Sequence, residues 1–368
     1  MQLLDRDALY IGIMSGTSLD GADAILADFS AATPHILGFN SAPFSAALRR
    51  ELLALNTPGD KEIERSQLAA NQLADTYAQV VAGLLSSTGK DAGDVIAIGC
   101  HGQTIRHRPD LGFTVQLNNP ARLAEQCGID VVADFRSRDI AAGGQGAPLV
   151  PAFHDGIFRS AHETRVVVNI GGIANLTMLE PARPAWGFDC GPGNCLMDAW
   201  IAQHHQKTHD EDGAWAAQGQ VLRPLLERLQ GEKYFHLPSP KSTGRDLFNP
   251  DWLARHLNGD EAPVDVQATL LALTASAIGE HLVRHAPAAK RLLVCGGGAY
   301  NSALMRQLAA KFTNGPVEKT DIHGVPAQQV EALAFAWLAK QAITRQPVDL
   351  RATTGARHAA RLGAIYPA

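Results

Sequence analysis

The sequence predicts an α/β protein built from two related lobes. Short apolar runs rich in β-branched residues alternate with longer stretches of helical periodicity, the pattern of strands and helices packed in layers. In addition, one strand, Gly-rich turn, strand pattern occurs twice. YIGIMSGTSLDGADAILADF near the start is followed about 155 residues later, counted from Gly16 to Gly171, by RVVVNIGGIANLTML. Glycine lets such a turn reach positive φ or a close backbone approach, so the repeat reads as a duplication with a cleft between the lobes. A chain of 368 residues accommodates two domains of ordinary size.

In chain order, strands are predicted at Leu9–Met14, Ala22–Phe29, Val95–Cys100, Ile129–Ala133, Arg165–Ile170, Ala174–Leu179 and Arg291–Cys295. Helices are predicted at Ser45–Leu55, Ile63–Ser86, Asn194–His205, Val221–Leu229, Val266–His285, Ser302–Lys311 and Gln328–Arg345. In the second helix Leu68, Leu73, Tyr77, Val80, Val81 and Leu84 recur at helical spacing and predict one buried face. The stretch DFRSRDIAAGGQGAPLVPAF mixes charge, glycine and proline and reads as a boundary. The first lobe is therefore expected over 1–135, completed by 346–368, and the second over 136–345. No low-complexity linker intervenes, which predicts lobes packed together and hinged.

Charged residues make up 19% and hydrophobic ones 46%, a globular composition that excludes wholesale disorder. Lys plus Arg number 32 against 37 Asp plus Glu, for a net charge of −5, so no basic excess exists to neutralise a nucleic-acid backbone. A small molecule is the better partner. Cys100, Cys127, Cys190, Cys195 and Cys295 are odd in number and lack metal-ligand spacing, which favours free thiols in a reducing compartment. Asp5, Arg6 and Asp7 interrupt the opening residues before a signal sequence forms, and Gln267 to Gly279 reads as a buried helix instead of a membrane span. A cytoplasmic protein is expected.

The chemistry-bearing residues cluster at turns. In MSGTSLDG, Ser15, Gly16, Thr17 and Ser18 bring N–H groups and hydroxyls together as an anion site can, and Asp20 adds a carboxylate for Mg²⁺, held through water. An ordinary hairpin turn uses the same residue types, and no Lys follows as in a Walker loop. Gly171 and Gly172 form an uncharged second turn. In GFDCGPGN, Asp189 sits where a strand ends and a helix begins, either as a general base or as an Asx-turn aspartate. Asn194 is the better cap by position, and Asp198, one turn inside the helix, reads as a solvated or dipole-facing carboxylate. CHGQT supplies His101, Gln103 and Thr104, while DFRSRD supplies Arg136 and Arg138, which suit a carboxylate ligand. LLVCGGGAYN places Gly296, Gly297 and Gly298 between a strand and a helix. Glu331 is the lone acid of QQVEALAFAWLA and points either to the surface or into the cleft.

MSGTSLDGAD, CHGQT, DFRSRDIAAGGQGAPLVP, NIGGIANLT, GFDCGPGNCLMDAW, KSTGRDLFN, CGGGAYN and EALAFAWLA together resemble the anhydro-N-acetylmuramic acid kinases, from about Tyr10 to LGAIYP. The resemblance implies the actin-like, sugar-kinase and heat-shock ATPase fold, with a duplicated βββαβα core. It implies ATP- and Mg²⁺-dependent phosphorylation of 1,6-anhydro-N-acetylmuramic acid with hydrolytic opening of the anhydro ring, in a cytoplasmic homodimer that recycles peptidoglycan sugar. It further implies an ATP-phosphate loop over Gly12, Ile13, Met14, Ser15, Gly16, Thr17, Ser18 and Leu19, completed by Gly171, Gly172 and Gly296 to Gly298. Asp189 is then the catalytic base and Asp20 the metal residue. His101, Gln103, Thr104, Arg136 and Glu331 become sugar contacts, with Arg136 on the lactyl carboxylate. Cys190 stands where a threonine is expected after the aspartate, which puts one hydrogen bond in question. The alternatives are a kinase of another hexose or amino sugar, and a nucleotide-dependent scaffold or chaperone.

Overall fold

The structure, a computed structural model, describes residues 8–16, 19–31 and 33–368. The chain forms two compact units, one of Met1–Phe153 with Gln329–Ala368 and one of His154–Gln328.

The first unit opens with β1 (Leu9–Met14), β2 (Gly21–Asp28) and β3 (His35–Pro43), followed by α1 (Ala46–Ala54) and α2 (Glu62–Thr88). Then come β4 (Val95–Cys100), β5 (Gln103–Arg108), β6 (Phe113–Leu117), α3 (Pro120–Cys127), β7 (Val131–Ala133), α4 (Phe135–Ala141) and α5 (Val150–Phe158), inside which the division falls. The second unit contains β8 (Arg165–Ile170), β9 (Ile173–Leu179), β10 (Trp186–Pro192), α6 (Cys195–His205), α7 (Arg223–Gln230), α8 (Lys233–His236), α9 (Pro250–Ala254), α10 (Pro263–His285), β11 (Arg291–Cys295), α11 (Ser302–Lys311) and β12 (Val317–Lys319). The chain then returns to the first unit with α12 (Val330–Ile343), α13 (Arg351–Thr354) and β13 (Ala364–Tyr366).

The two main sheets run β13-β7-β4-β1-β2-β3 and β10-β9-β8-β11-β12. In each, three antiparallel strands from consecutive hairpins are extended by two parallel strands on the far side of the first. The repeated hairpin thus belongs to a duplicated plan, as the sequence pattern predicts, and its βββαβα order is the one the resemblance implies.

The unit limits differ from the sequence expectation, since 136–153 and 329–345 belong with the first unit. The charged, glycine-rich stretch runs up to the division and belongs with the first unit. Asp139, 1% exposed, accepts hydrogen bonds from the Gly146 N–H and the Thr354 hydroxyl, both at 2.8 Å, so its charge is an interior tether. The apolar helix α12 packs on β1 and β4, where a Cβ on Gly12 would lie 1.8 Å from the Ala332 carbonyl oxygen and one on Gly99 2.0 Å from that of Phe335. Only glycine permits this approach.

α2 buries Leu73, Tyr77, Val80, Val81 and Leu84 as its periodicity requires, but Leu68 is 55% exposed and Ala69 and Ala70 turn inward in its place. Glu62 and Glu64 favour the start of α2, and Gly89 at φ 64° ends it. α10 has the length and composition of a membrane-crossing helix, yet 89% of its apolar stretch is buried within the second unit.

Candidate functional site

In the first unit the β1–β2 turn is held from three sides. The Ser15 hydroxyl donates to the Gly102 carbonyl (3.0 Å), so at 2.8 Å from the Tyr77 phenol it acts as acceptor, because a hydroxyl carries only one proton. Gln103 Nε2 donates to the Gly16 carbonyl (3.2 Å), as does the Leu19 N–H (3.2 Å). Four residues of the expected phosphate loop therefore support it instead of facing a ligand. Gly12 lies against α12, Ile13 is fully buried, Ser15 has its proton committed, and Leu19, at φ 60°, sits in the apolar core. Met14 and Gly16 remain partly exposed, and Thr17 and Ser18 lie outside the described residues.

His101, at the end of β4, lies under Arg136 of α4. Arg136 donates from Nε (3.1 Å) and Nη2 (2.9 Å) to His101 Nε2, and from Nη1 to the Gly146 carbonyl (2.8 Å). Burial, then the Arg136 charge, holds His101 far below its ordinary value. A neutral imidazole that accepts at Nε2 carries its proton on Nδ1. That Nδ1 and Gln103 Oε1 are buried polar atoms without a hydrogen-bond partner, a donor and an acceptor of the kind a sugar satisfies. Thr104 accepts from Gln116 Nε2 (3.2 Å) across the β5–β6 hairpin. Arg138 is exposed in the last turn of α4. Glu331 is half-buried in the first turn of α12, one turn before Phe335, whose ring packs 4.7 Å from that of His101.

Asp20 is exposed, 3.8 Å from Arg49, and beside it burial and the Asp20 charge raise Asp23 to about 6. Among the described residues no three metal-ligating side chains converge. An exposed carboxylate suits Mg²⁺, which keeps its waters and shares its charge with phosphates.

In the second unit Asp189 lies within β10, and the strand continues to Pro192 instead of ending at the aspartate. The β9–β10 register shifts between Asp189 and Gly191, a bulge that re-aims the side chain. Asp189 is 7% exposed; its N–H donates to the Lys241 carbonyl (3.2 Å), its carbonyl accepts from the Tyr234 hydroxyl (2.6 Å), and its Oδ2 accepts from the Thr243 N–H (3.1 Å). Cys190 Sγ donates to the Ala174 carbonyl (3.1 Å). Burial raises that thiol far above its ordinary value, and it stays protonated.

The Gly171–Gly172 turn spends its carbonyls on α6: Gly171 accepts from the Asn194 N–H, and Gly172 from the N–H groups of Gly193 and Cys195. Only its N–H groups can serve a phosphate. Asn194 is the N-cap by position, but its side chain donates to the Ile170 carbonyl (3.2 Å) and caps nothing. Asp198 falls in the first turn of α6, half-buried. Gly296, at φ 78°, and Gly298 press on Asn169 and Ile170, whereas a Cβ on Gly297 would meet nothing closer than 3.8 Å. Gly297 begins a short 3₁₀ turn, and α11 starts only after Asn301, whose Oδ1 caps the Leu304 N–H.

Lys241 and Thr243, partners of Asp189, fall inside the motif KSTGRDLFN but received no role from sequence, and Tyr234 was not singled out. Lys241 carries the available signal, a basic residue in the otherwise uncharged run LPSPKSTG.

The model of the anhydro-N-acetylmuramic acid kinase family matches residues 8–368. The chain is 57% identical over 365 residues to the anhydro-N-acetylmuramic acid kinase of Bordetella pertussis, covering 98% of this chain and 96% of that one. It is 54% identical over 370 residues to that of Cupriavidus metallidurans, covering 98% and 97%. Among solved structures it is similar to component A of the Acidaminococcus fermentans (R)-2-hydroxyglutaryl-CoA dehydratase (TM-score 0.49, 12% identity, 89% of this chain and 96% of that one). It is also similar to a ROK family glucokinase from Streptomyces griseus in complex with glucose and AMPPNP (TM-score 0.41, 14% identity, 91% and 100%).

Proposed function

The chain belongs to the anhydro-N-acetylmuramic acid kinase family, and on that premise we propose that it couples phosphoryl transfer from ATP to hydrolytic opening of 1,6-anhydro-N-acetylmuramic acid. It is a phosphotransferase acting on an amino sugar; the coupling, the ATP and Mg²⁺ requirement and the residue roles are the proposal. The product is N-acetylmuramic acid 6-phosphate, made by a cytoplasmic homodimer that recycles cell-wall sugar.

The observation that carries the reading is the Asp189 carboxylate, buried, held at both main-chain groups and fixed at Oδ2 by the Thr243 N–H. A carboxylate so restrained takes a proton from water without reorganising. The water oxygen bonds to the anomeric carbon and the bond from that carbon to O6 breaks. O6 keeps the electron pair and bonds to the γ-phosphorus, and the bond to the ADP oxygen breaks. Water, base and anomeric carbon are arranged as in an inverting glycosidase, and phosphoryl transfer replaces the acid that would protonate the leaving oxygen.

In the first unit backbone N–H groups around Met14 and Gly16, with Thr17 and Ser18, are the phosphate-binding groups, and in the second unit those of Gly171, Gly172 and Gly297. Asp20 holds Mg²⁺, which when bound neutralises charge on the transferring phosphoryl group. Arg136 binds the lactyl carboxylate, while the His101 Nδ1–H, Gln103, Thr104 and Glu331 contact sugar oxygens. Asp189→Asn tests the base: kcat falls about 10³-fold while calorimetric affinities for ATP and sugar stay within about threefold. Activity within tenfold of the unaltered enzyme would remove Asp189 from that role.

A further inference from the structure

We propose that Lys241 is a positioning residue for Asp189, its buried ammonium clamping the loop whose main chain holds that carboxylate. The proposal rests on the reading of Asp189 as the base.

Lys241 is 5% exposed. Its Nζ donates to the carbonyls of Tyr234 (3.0 Å) and Phe235 (3.3 Å) and to His281 Nε2 (3.4 Å), and lies 4.6 Å from the Tyr234 ring centroid. Three N–H groups meet three acceptors, none of them a carboxylate. A buried ammonium is costly to desolvate, and here it ties the loop to itself and to α10.

That loop runs from α8 to Thr243, and both its ends grip Asp189. Tyr234 reaches the Asp189 carbonyl, the Lys241 carbonyl accepts from the Asp189 N–H, and two residues on the Thr243 N–H reaches Oδ2. The ammonium joins the Tyr234 end to the Lys241 end. Besides Asp189, the ionisable groups facing it are Cys190, Tyr234, His281, Arg284 and, across the rings, His285. Burial, then the Lys241 charge, lowers His281 to about 3, so its Nε2 is free of a proton and accepts. Burial lowers Lys241 to about 8, which leaves it charged at neutral pH, where a cation favours the ionised carboxylate.

The test is Lys241→Met. It lowers kcat about 10- to 100-fold, leaves KM for ATP and sugar within about threefold, and moves the acid limb of the kcat–pH profile upward by about half a unit. Lys241→Arg, which keeps the charge, recovers part of both effects. A folded Lys241→Met enzyme with unaltered kcat and acid limb overturns the proposal. Should that variant not fold, Thr243→Pro decides: it removes one N–H from Oδ2, leaves the ammonium in place, and lowers kcat at constant KM, whereas unchanged kcat overturns the clamp. Asp189→Asn measured alongside separates the two ideas. If it retains activity the base assignment has failed, and if it is inactive while both loop variants behave as the unaltered enzyme, only the clamp has.

Discussion

The β1–β2 turn of the first unit and the β8–β9 turn of the second occupy equivalent places in a duplicated plan, yet they are built oppositely. The first spans Ser15 to Asp20 and is pinned by Tyr77, Gly102 and Gln103. The second is two glycines long, and its carbonyls start α6. The third strands diverge as well. β3 alternates exposed and half-buried residues, whereas β10 buries Asp189 at a bulge. The contrast teaches that one duplicated frame carries turns of different length and third strands of different burial.

Glycine substitutions break this comparison most sharply. Gly12→Ala, at the end of β1 that carries the long turn, drives a methyl into the Ala332 carbonyl and destabilises the protein by about 3 kcal/mol, read as a lower denaturant midpoint. Acid sharpens it at intermediate scale. In the second unit His154 and His281 are lowered to about 3, each by burial first. The unfolded chain binds their protons below about pH 6.5 while the folded chain does not, so stability is lost as pH falls from there toward 3, by at most about 1.4 kcal/mol per unit for each. In the first unit His101 and His107 act in the same sense, but Asp23 and Asp139, raised by burial, act in the opposite one. Between pH 7 and pH 5 amide protection factors, corrected for the slower intrinsic exchange at the lower pH, therefore fall more in the second unit; an equal fall would contradict the assignment. The smallest effect is Gly171→Ala. Its methyl meets nothing closer than 3.8 Å at a φ that alanine accepts, so stability stays level or rises by about 0.4–1 kcal/mol.

Strands β1, β4, β8 and β11 were legible to the residue because each is a continuous apolar run between breakers. β3 was not, since HILGFNSAP buries no residue deeply, and the β5–β6 hairpin hid in the polar run QTIRHR. The turn at Pro109 to Gly112, with Gly112 at φ 80°, was the available signal for that hairpin. The stretch from Asp134 to Phe153 ends at the division between the units, but its composition did not show on which side it lies, because its Asp139 has interior partners. Asp189 was legible from its glycine-rich motif, but its partners were not. Thr243 lies 54 residues on, and no local pattern records such a contact.

The central claim is that one event opens the ring with water and places phosphate on the oxygen released. Mass spectrometry of the product formed from 1,6-anhydro-N-acetylmuramic acid, ATP and Mg²⁺ in ¹⁸O-labelled water tests it most directly. The account predicts a 6-phosphate carrying the label on its anomeric oxygen at the instant of formation, resolved by trapping before that oxygen exchanges. A phosphorylated product that retains the anhydro ring, or no product alongside turnover of an ordinary reducing sugar, would contradict it.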